Sequence, residues 1–401
     1  MKILVVDKFE QSGLDRLRGL ARELAYEQSL KDAALAEKVA SFDPNVLIVR
    51  STKVTRPIIQ AGKALQVVIR AGSGIDNIDV TAASERGVGV ANCPGMNAVA
   101  VAELTIGLMV ALDRSIPDNV ADFRAKKWNK KKYGARALGF KGRTLGIIGA
   151  GKIGTEVARR AAAFEMKVLY THLGRSRGLA DLPQCRRTEM SELLRESDVV
   201  SIHVPGGSST SNLLDASCLA MMKPSALLIN TSRAGVVDEK ALAEMLRAGK
   251  LRGAALDVFE GEPAGDVPSV ESPLADVPNL YVTHHIGAST EEAQQAVADE
   301  TVRIVQHFKA TNEILNCVNH NVKPPTTLLV VKFRNKPGGL AHVFSTLATA
   351  GINVEEMDHI IFEGGQTAVA HIRLSPAPDA TVVDRIRTGH ENVLGVELIT
   401  G

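Results

Sequence analysis

Aromatic side chains are scarce: ten Phe, four Tyr and one Trp supply only 4% of the 401 residues. So few π-faces argue against nucleic acid, since the one basic stretch, 124–143, has only Trp128, Tyr133 and Phe140 to stack bases, and a net charge of +2 gives no field that gathers polyanions. Cysteine is scarce as well. Cys93, Cys185, Cys218 and Cys317 are scattered without CxxC spacing, which argues against a disulfide framework or a thiolate metal site, and no metal is expected. They read as reduced small hydrophobes, and a cytoplasmic protein is the expectation. No apolar run reaches the roughly 18 residues of a membrane span. The opening Met1-Lys-Ile-Leu-Val-Val-Asp7 reads as a first strand rather than a signal peptide. Repeats and low-complexity segments are missing. What remains is an ordinary balance, 45% hydrophobic and 23% charged, with material for two or three domains.

One stretch departs from that balance. Between Arg124 and Arg143 stand nine Lys or Arg and no acid, with Trp128 among them. It reads either as a solvated surface segment or as a basic arm that meets an anionic ligand across a subunit boundary.

The stretch Thr144-Leu-Gly-Ile-Ile-Gly149-Ala-Gly151-Lys152-Ile153-Gly154 organises the chain. Strand-forming residues run into Gly-x-Gly-x-x-Gly, and Ile153, Val157, Ala161 and Phe164 then recur at helical spacing. Strand, glycine turn and helix form a dinucleotide-binding fingerprint. Gly149 permits the sharp turn, Gly151 lets backbone approach a pyrophosphate, and Gly154 lets helix and sheet pack closely. The helix N-terminus offers free N–H groups to the phosphates.

On either side, short apolar runs alternate with amphipathic stretches, the pattern of βαβ units and parallel sheets. Strands are expected at residues 3–6, 46–49, 67–69 and 88–90, with helices at 12–24, 31–40 and 55–61. Residues 97–112 form a helix apolar nearly all round, suited to a subunit interface or a crossover. Six strands are expected between 144 and 286, at 145–148, 167–170, 199–204, 226–229, 253–258 and 281–283. Helix 290–309 returns the chain to the first domain, and 316–326 is a linker. The last 75 residues read as βαββαβ, the split pattern.

Three residues follow late strands of the middle domain: Arg233, Glu262 and His285. Ligands of open α/β sheets bind outside strand carboxyl ends. A guanidinium, a carboxylate and an imidazole aimed at one crevice fit hydride transfer at a carbon next to a carboxylate. His285 takes the hydroxyl proton, Glu262 orients and charges the ring, and Arg233 holds the substrate carboxylate.

These residues sit in a recurring set of blocks. Gly149-Ala-Gly-Lys-Ile-Gly154, Asn230-Thr-Ser-Arg-Ala-Gly-Val-Val-Asp238, Leu256-Asp-Val-Phe-Glu-Gly-Glu-Pro263 and His284-His-Ile-Gly-Ala-Ser-Thr290 resemble the signature blocks of the D-2-hydroxyacid dehydrogenases. The resemblance covers the whole chain. It implies an α/β protein with two doubly wound parallel-sheet domains: a Rossmann-type cofactor domain at 98–287 and a flavodoxin-like substrate domain at 1–97 and 288–320. A C-terminal βαββαβ unit at 326–401 resembles an ACT regulatory domain. It implies Arg233, Glu262 and His285 as the catalytic residues. It implies cofactor contacts from Gly149, Gly151, Lys152, Ile153, Gly154, His203-Val204-Pro205, Thr231, Ser232, Arg233, Asp257, His285 and Gly287; position along the chain, not the resemblance, adds His172 and Arg175 as cofactor contacts. For the substrate it implies Arg50, Ser51, Arg70-Ala71-Gly72-Ser73-Gly74, Asn97, Arg233, His285 and, on the basic arm, Lys130. The glycine-rich turn after Arg70 suits an anion nest. The ligand implied is a small phosphorylated 2-hydroxy acid, the carrier NAD, and the assembly a homodimer or homotetramer with an amino-acid effector at the ACT unit. Neither nucleic acid nor membrane is an expected partner.

Two positions depart from that pattern. An acid is expected about 20 residues past the glycine turn, on the ribose hydroxyls. His172 stands there, followed by Arg175 and Arg177, which leaves NADP open beside NAD. In the C-terminal unit Asn335 and Asn353 match effector positions, but Phe333 replaces the His of serine-inhibited relatives, so serine feedback is not expected. A reductase of glyoxylate or hydroxypyruvate is the alternative enzyme. A dinucleotide-sensing co-repressor is the alternative of another class, and the intact trio argues for turnover.

Overall fold

The computed structural model describes residues 1–171, 179, 180, 182–263, 265, 267–320 and 327–400. They form two compact units, Met1–Asn319 and His320–Gly401.

The first unit holds two parallel sheets. One contains β1 (Lys2–Val6), β2 (Glu23–Glu27), β3 (Val46–Val49), β4 (Val67–Arg70) and β5 (Gly89–Asn92) in the order β2-β1-β3-β4-β5. Its inner strands are apolar without interruption because both faces are covered. Alternate side chains enter two cores. Ile3 and Val5 pack with the helices Gln11–Leu20 and Glu291–Thr311. Leu4 and Val6 pack with Asp32–Phe42 and Arg56–Ala61. The helix Glu291–Thr311 places Val302, Ile304, Val305 and Phe308 in the first of these cores, so the chain does return to its starting sheet.

The other sheet contains β6 (Thr144–Ile148), β7 (Lys167–Thr171), β8 (Cys185–Arg187), β9 (Val199–Ile202), β10 (Leu227–Asn230), β11 (Gly253–Leu256) and β12 (Leu280–Val282). Its order is β12-β11-β10-β9-β6-β7-β8. Counted from β6 this is a doubly wound arrangement whose strand order reverses between β6 and β9, the place where such sheets open a crevice. The apolar helix Ala98–Arg114 lays Ala102, Leu108, Met109 and Leu112 against Val157, Ala158 and Ala161 of the helix Lys152–Ala163.

Three expectations need correction. The helix expected over 12–24 ends at Leu20, and Glu23–Glu27 forms the edge strand β2 instead. Only Leu24, Ala25 and Tyr26 of β2 turn toward apolar cores, too little alternation to announce a strand. The middle sheet has a seventh strand, β8, whose Arg186 and Arg187 are exposed. The linker expected over 316–326 begins docked: Cys317 bridges Ala91 antiparallel, Val318 N–H donates to Val90 O at 2.8 Å, and Asn319 Oδ1 accepts from Val90 N–H at 2.8 Å. Its remainder, 321–326, lies outside the described residues.

The second unit runs β13 (Thr327–Arg334), helix Gly339–Thr349, β14 (Asn353–Ile361), β15 (Thr367–Ser375), helix Ala380–Thr388 and β16 (Val393–Thr400). The antiparallel sheet has the order β14-β15-β13-β16. Leu329, Val331 and Phe333 meet Val343, Leu347, Val383 and Ile386 in one core beneath the two helices. Asn335 Nδ2 donates to Gly365 O at 2.9 Å, tying the first loop to the hairpin, and Phe333 is buried, stacked on His359.

Candidate active site

The crevice is built on the strand ends of the first unit. At the end of β6, Gly149 has φ +105°, a left-handed-side conformation that side chains other than hydrogen rarely tolerate. A Cβ there would strike the backbone carbonyl of His203, and one on Gly154 would strike the carbonyl of Gly149. Gly151 differs: nothing lies within 4 Å of where its Cβ would point. The open face over Gly151 leads to the first turn of the helix Lys152–Ala163, whose N–H groups have no helical partner. This fits a dinucleotide pyrophosphate. Ile153 packs into the core behind, and Lys152 Nζ donates to Pro94 O at 2.8 Å.

Beyond β9, His203 is buried. Its Nε2 lies 2.8 Å from Ser201 Oγ, and its Nδ1 has no hydrogen-bond partner among the described residues. Burial pushes its pKa down to about 3, so the ring is neutral. Val204 is buried beside it and Pro205 O accepts from Thr210 Oγ1. Past β10, Thr231 Oγ1 lies 3.0 Å from Thr105 Oγ1, and Ser232 donates from N–H and hydroxyl to Asn230 Oδ1.

Arg233 then reaches across to the first sheet. Its Nε donates to Asp76 Oδ2 at 2.8 Å and its Nη1 to Ser232 O at 2.7 Å, while Nη2 lies against Gly74. The guanidinium is thereby fixed along two edges, with the third turned to the 71–74 loop. In that loop Ala71 N–H donates to Val49 O and Gly72 N–H to Arg70 O; the N–H groups of Ser73 and Gly74 have no hydrogen bond among the described residues. Ser73 Oγ lies 2.7 Å from Asn97 Oδ1.

Glu262 and His285 meet as a pair, Oε2 to Nδ1 at 2.7 Å. Glu262 Oε1 accepts from Phe259 N–H at 2.8 Å. Burial alone would raise the Glu262 pKa, but the bonds from His285 and Phe259, with the nearby Arg233 charge, hold it below the usual value. The Glu262 bond raises the His285 pKa against the opposing effects of burial and Arg233. The two shifts agree in sign and describe an ion pair formed when the ring is charged. His285 has φ +51°, costly for a side-chain-bearing residue. The loop is held there by Asp257, 1% exposed, which accepts from Thr283 Oγ1 at 2.7 Å and from the N–H groups of Ile286 and Gly287 at 2.9 Å each. Asp257, expected to line the cofactor, thus has both oxygens engaged in fixing the His285 loop.

The first sheet contributes arginines. Arg50 and Ser51 direct their backbone N–H groups at Asp7 (2.8 and 2.9 Å), as does Thr52. Those N–H groups are therefore occupied, and the Arg50 guanidinium donates to Gln294 Oε1 at 3.0 Å. Arg70 is folded over Gly72, and its buried Nε has no partner among the described residues. Burial first, then Arg233 and Arg50, push its pKa down. Three guanidinium groups near one another with a buried unpaired donor are a cluster that an anion would relieve. Lys130 stays apart: it sits on the exposed helix Lys130–Gly134, near Trp128 at 80% exposure, and makes no hydrogen bond or ion pair with this cluster. His172, Arg175 and Arg177 lie outside the described residues.

Sequence reasoning missed Asp7 and Asp76. The only trace of Asp7 is an acid directly after a buried strand; Asp76 carries no local signal, since its partner is 157 residues away.

Known proteins share this architecture. Residues 106–287 match the model of the D-isomer specific 2-hydroxyacid dehydrogenase, NAD binding domain. The chain is similar to D-3-phosphoglycerate dehydrogenase of Synechocystis sp., 41% identical over 297 residues, 74% of this chain and 52% of that protein. The hydroxypyruvate reductase of Thermotoga maritima is 45% identical over 259 residues, 64% of this chain and 82% of that one. D-3-phosphoglycerate dehydrogenase of Escherichia coli is 35% identical over 364 residues, 88% and 87% of the two chains. Against several such relatives the chain spans only half to three fifths of their length. Among solved structures, a glyoxylate reductase from Paecilomyes thermophila aligns with a TM-score of 0.70 at 29% identity, covering 79% of this chain and 98% of that one.

Proposed function

Because the chain belongs to the D-isomer specific 2-hydroxyacid dehydrogenase family, we propose that it oxidises 3-phospho-D-glycerate to 3-phosphohydroxypyruvate with NAD, the first step toward serine. The observation that carries this reading is an arginine cluster that reaches a paired imidazole and carboxylate: Arg50 and Arg70 gather at Arg233, which in turn neighbours Glu262–His285. NAD, held at the Gly149–Gly154 turn, would supply the hydride acceptor for the hydroxyl-bearing carbon.

The protein's own groups do the rest. Glu262 accepts the Nδ1–H of His285, which leaves Nε2 free to take the hydroxyl proton and stabilises the imidazolium that results. Arg233, oriented by Asp76 and Ser232 O, presents its remaining edge to the substrate carboxylate. The N–H groups of Ser73 and Gly74 are the second half of that carboxylate site. Arg70 and Arg50 hold the phosphate.

In this reading 98–287 is the cofactor domain, and 1–97 with 288–320 the substrate domain. Residues 326–401 are an ACT-type module through which two or four copies pair, with Asn335 and Asn353 facing an amino-acid effector. The free cysteines support a cytoplasmic setting.

A second reading is hydroxypyruvate reductase, supported by the likeness to the Thermotoga maritima enzyme along 82% of its length. One panel separates the two: phosphohydroxypyruvate, hydroxypyruvate and glyoxylate, each with NADH and NADPH. The highest kcat/KM is expected for phosphohydroxypyruvate with NADH, and Arg70→Ala should depress that substrate more than glyoxylate. A kcat/KM on hydroxypyruvate equal to or above that on its phosphate would overturn the first reading.

A further inference from the structure

The turn that carries Glu262 is held through the buried side chains of Val258 and Phe259, and hardly through its backbone. Among the described residues, the backbone of 258–263 makes no hydrogen bond to backbone outside the turn. Gly261 is in the left-handed region at φ +83°, and Glu260 and Gly261 are exposed. Two carboxylates clasp the turn instead. From inside, Glu262 Oε1 accepts from Phe259 N–H. From outside, Glu239 Oε1 accepts from Glu260 N–H at 2.9 Å.

Glu239 is well placed to act as the fixed jaw. It is the first residue of the helix Glu239–Arg247. Asp238 caps that helix by accepting from Ala241 N–H at 2.9 Å, and Asp238 N–H is itself bound to Leu214 O. Leu242, Ala243 and Leu246 bury the helix in the sheet core. The helix is anchored in the core, and its Glu239 holds the exposed part of the turn.

We propose that Glu239 is a positioning residue for the Glu262–His285 pair: by holding Glu260 N–H it sets the turn from which the Glu262 carboxylate meets His285 Nδ1. The inference rests on the reading of that pair as the proton relay. The electrostatics are consistent with it. Burial first, then the charges of Glu260 and Glu262, raise the Glu239 pKa to about 7, against the lowering bond from Glu260 N–H. A carboxyl group that is half protonated near neutrality still accepts a hydrogen bond, yet sets less negative charge beside Glu262 than an ordinary carboxylate does. Around His285 the charged groups are Glu262, Asp257 and Arg233, none of which the substitution of Glu239 removes.

The test compares Glu239→Ala and Glu239→Gln with the parent chain, using Glu262→Gln as the reference for a ring without its partner. NMR titration of the His285 imidazole, assigned with His285→Ala, needs no substrate. Glu239→Ala is expected to move the His285 midpoint down toward that of Glu262→Gln. It should also lower kcat about tenfold, with the cofactor KM within about twofold of the parent. Glu239→Gln keeps an oxygen for Glu260 N–H and should restore both. If Glu239→Ala does not fold, Glu239→Met, which fills the same space without an acceptor, takes its place. An unmoved His285 midpoint in the acceptor-free variant overturns the proposal, and so does a Glu239→Gln that behaves like Glu239→Ala. Because the titration is read without turnover, a shifted midpoint in a chain inert toward every hydroxy acid would sink the proposed activity and leave this assignment standing.

Discussion

Replacing Gly151 by Ala separates cofactor binding from folding. At Gly151 the backbone has φ −79° and ψ −165°, an extended conformation open to alanine, and no atom lies within 4 Å of the added methyl. Stiffening the unfolded chain favours Ala by about 0.4–1 kcal/mol, and losing glycine at a helix N-cap costs roughly the same. Net stability should stay within about 0.5 kcal/mol, a shift in Tm of about 1–2 °C. The methyl, however, stands on the face where a pyrophosphate must approach the helix. Loss of one charge-assisted bond to backbone costs about 1.5–3 kcal/mol, roughly a 10- to 150-fold rise in Kd. Calorimetry gives Tm, and quenching of NADH fluorescence gives Kd. Gly154→Ala is the contrast, since its methyl meets the Gly149 carbonyl and should cost about 1–3 kcal/mol in folding. If Gly151→Ala binds NADH within twofold of the parent at unchanged Tm, the glycine turn does not hold the pyrophosphate and the reasoning from the open face fails.

His285→Ala should lower kcat by about 10²- to 10⁴-fold while NADH still binds; near-normal turnover would assign the proton to another group. Because oxidation needs the neutral ring and Glu262 raises the His285 pKa, oxidation should increase as pH rises through that raised midpoint, and reduction should decrease. Glu262→Gln should move both limbs toward lower pH, and pH profiles that superimpose on the parent's would exclude the coupling. Asp7→Ala strands three backbone N–H groups and the Thr52 hydroxyl, at a cost of about 2–3 kcal/mol by urea unfolding. Burial opposes the charge on Asp7, but the Thr52, Arg50 and Ser51 bonds win and lower its pKa. Its stabilisation is therefore present above the ordinary carboxylate value and lost as pH falls through the depressed one, so a gap between parent and variant that stays constant into strong acid would refute this role.

The buried strands were legible because nothing but a covered parallel sheet demands uninterrupted apolar runs such as Val46–Val49 and residues 226–229. The glycine turn and the strand-end positions of Arg233, Glu262 and His285 were legible for a related reason: the fold puts ligands at those ends, so order along the chain becomes proximity. Two of the four edge strands of the parallel sheets were not. β2 and β8 are half exposed and carry charge, and their pairing depends on the neighbour's backbone rather than on their own side chains. The bonds made by Asp7 and Asp76 were also invisible, since Asp7 serves residues 43–45 positions away and Asp76 serves Arg233 at 157. No periodicity records such a partnership. Separation along the chain also hid Glu239, whose value lies in one bond to a turn 21 residues on.

The Asp76–Arg233 bond has a bearing on turnover. In the proposed function an incoming acid would meet a guanidinium already paired with the Asp76 carboxylate, so the grip on substrate and on product would be moderated alike. Sharing Arg233 with Asp76 would then favour departure at some expense in affinity, and would let the crevice empty between cycles.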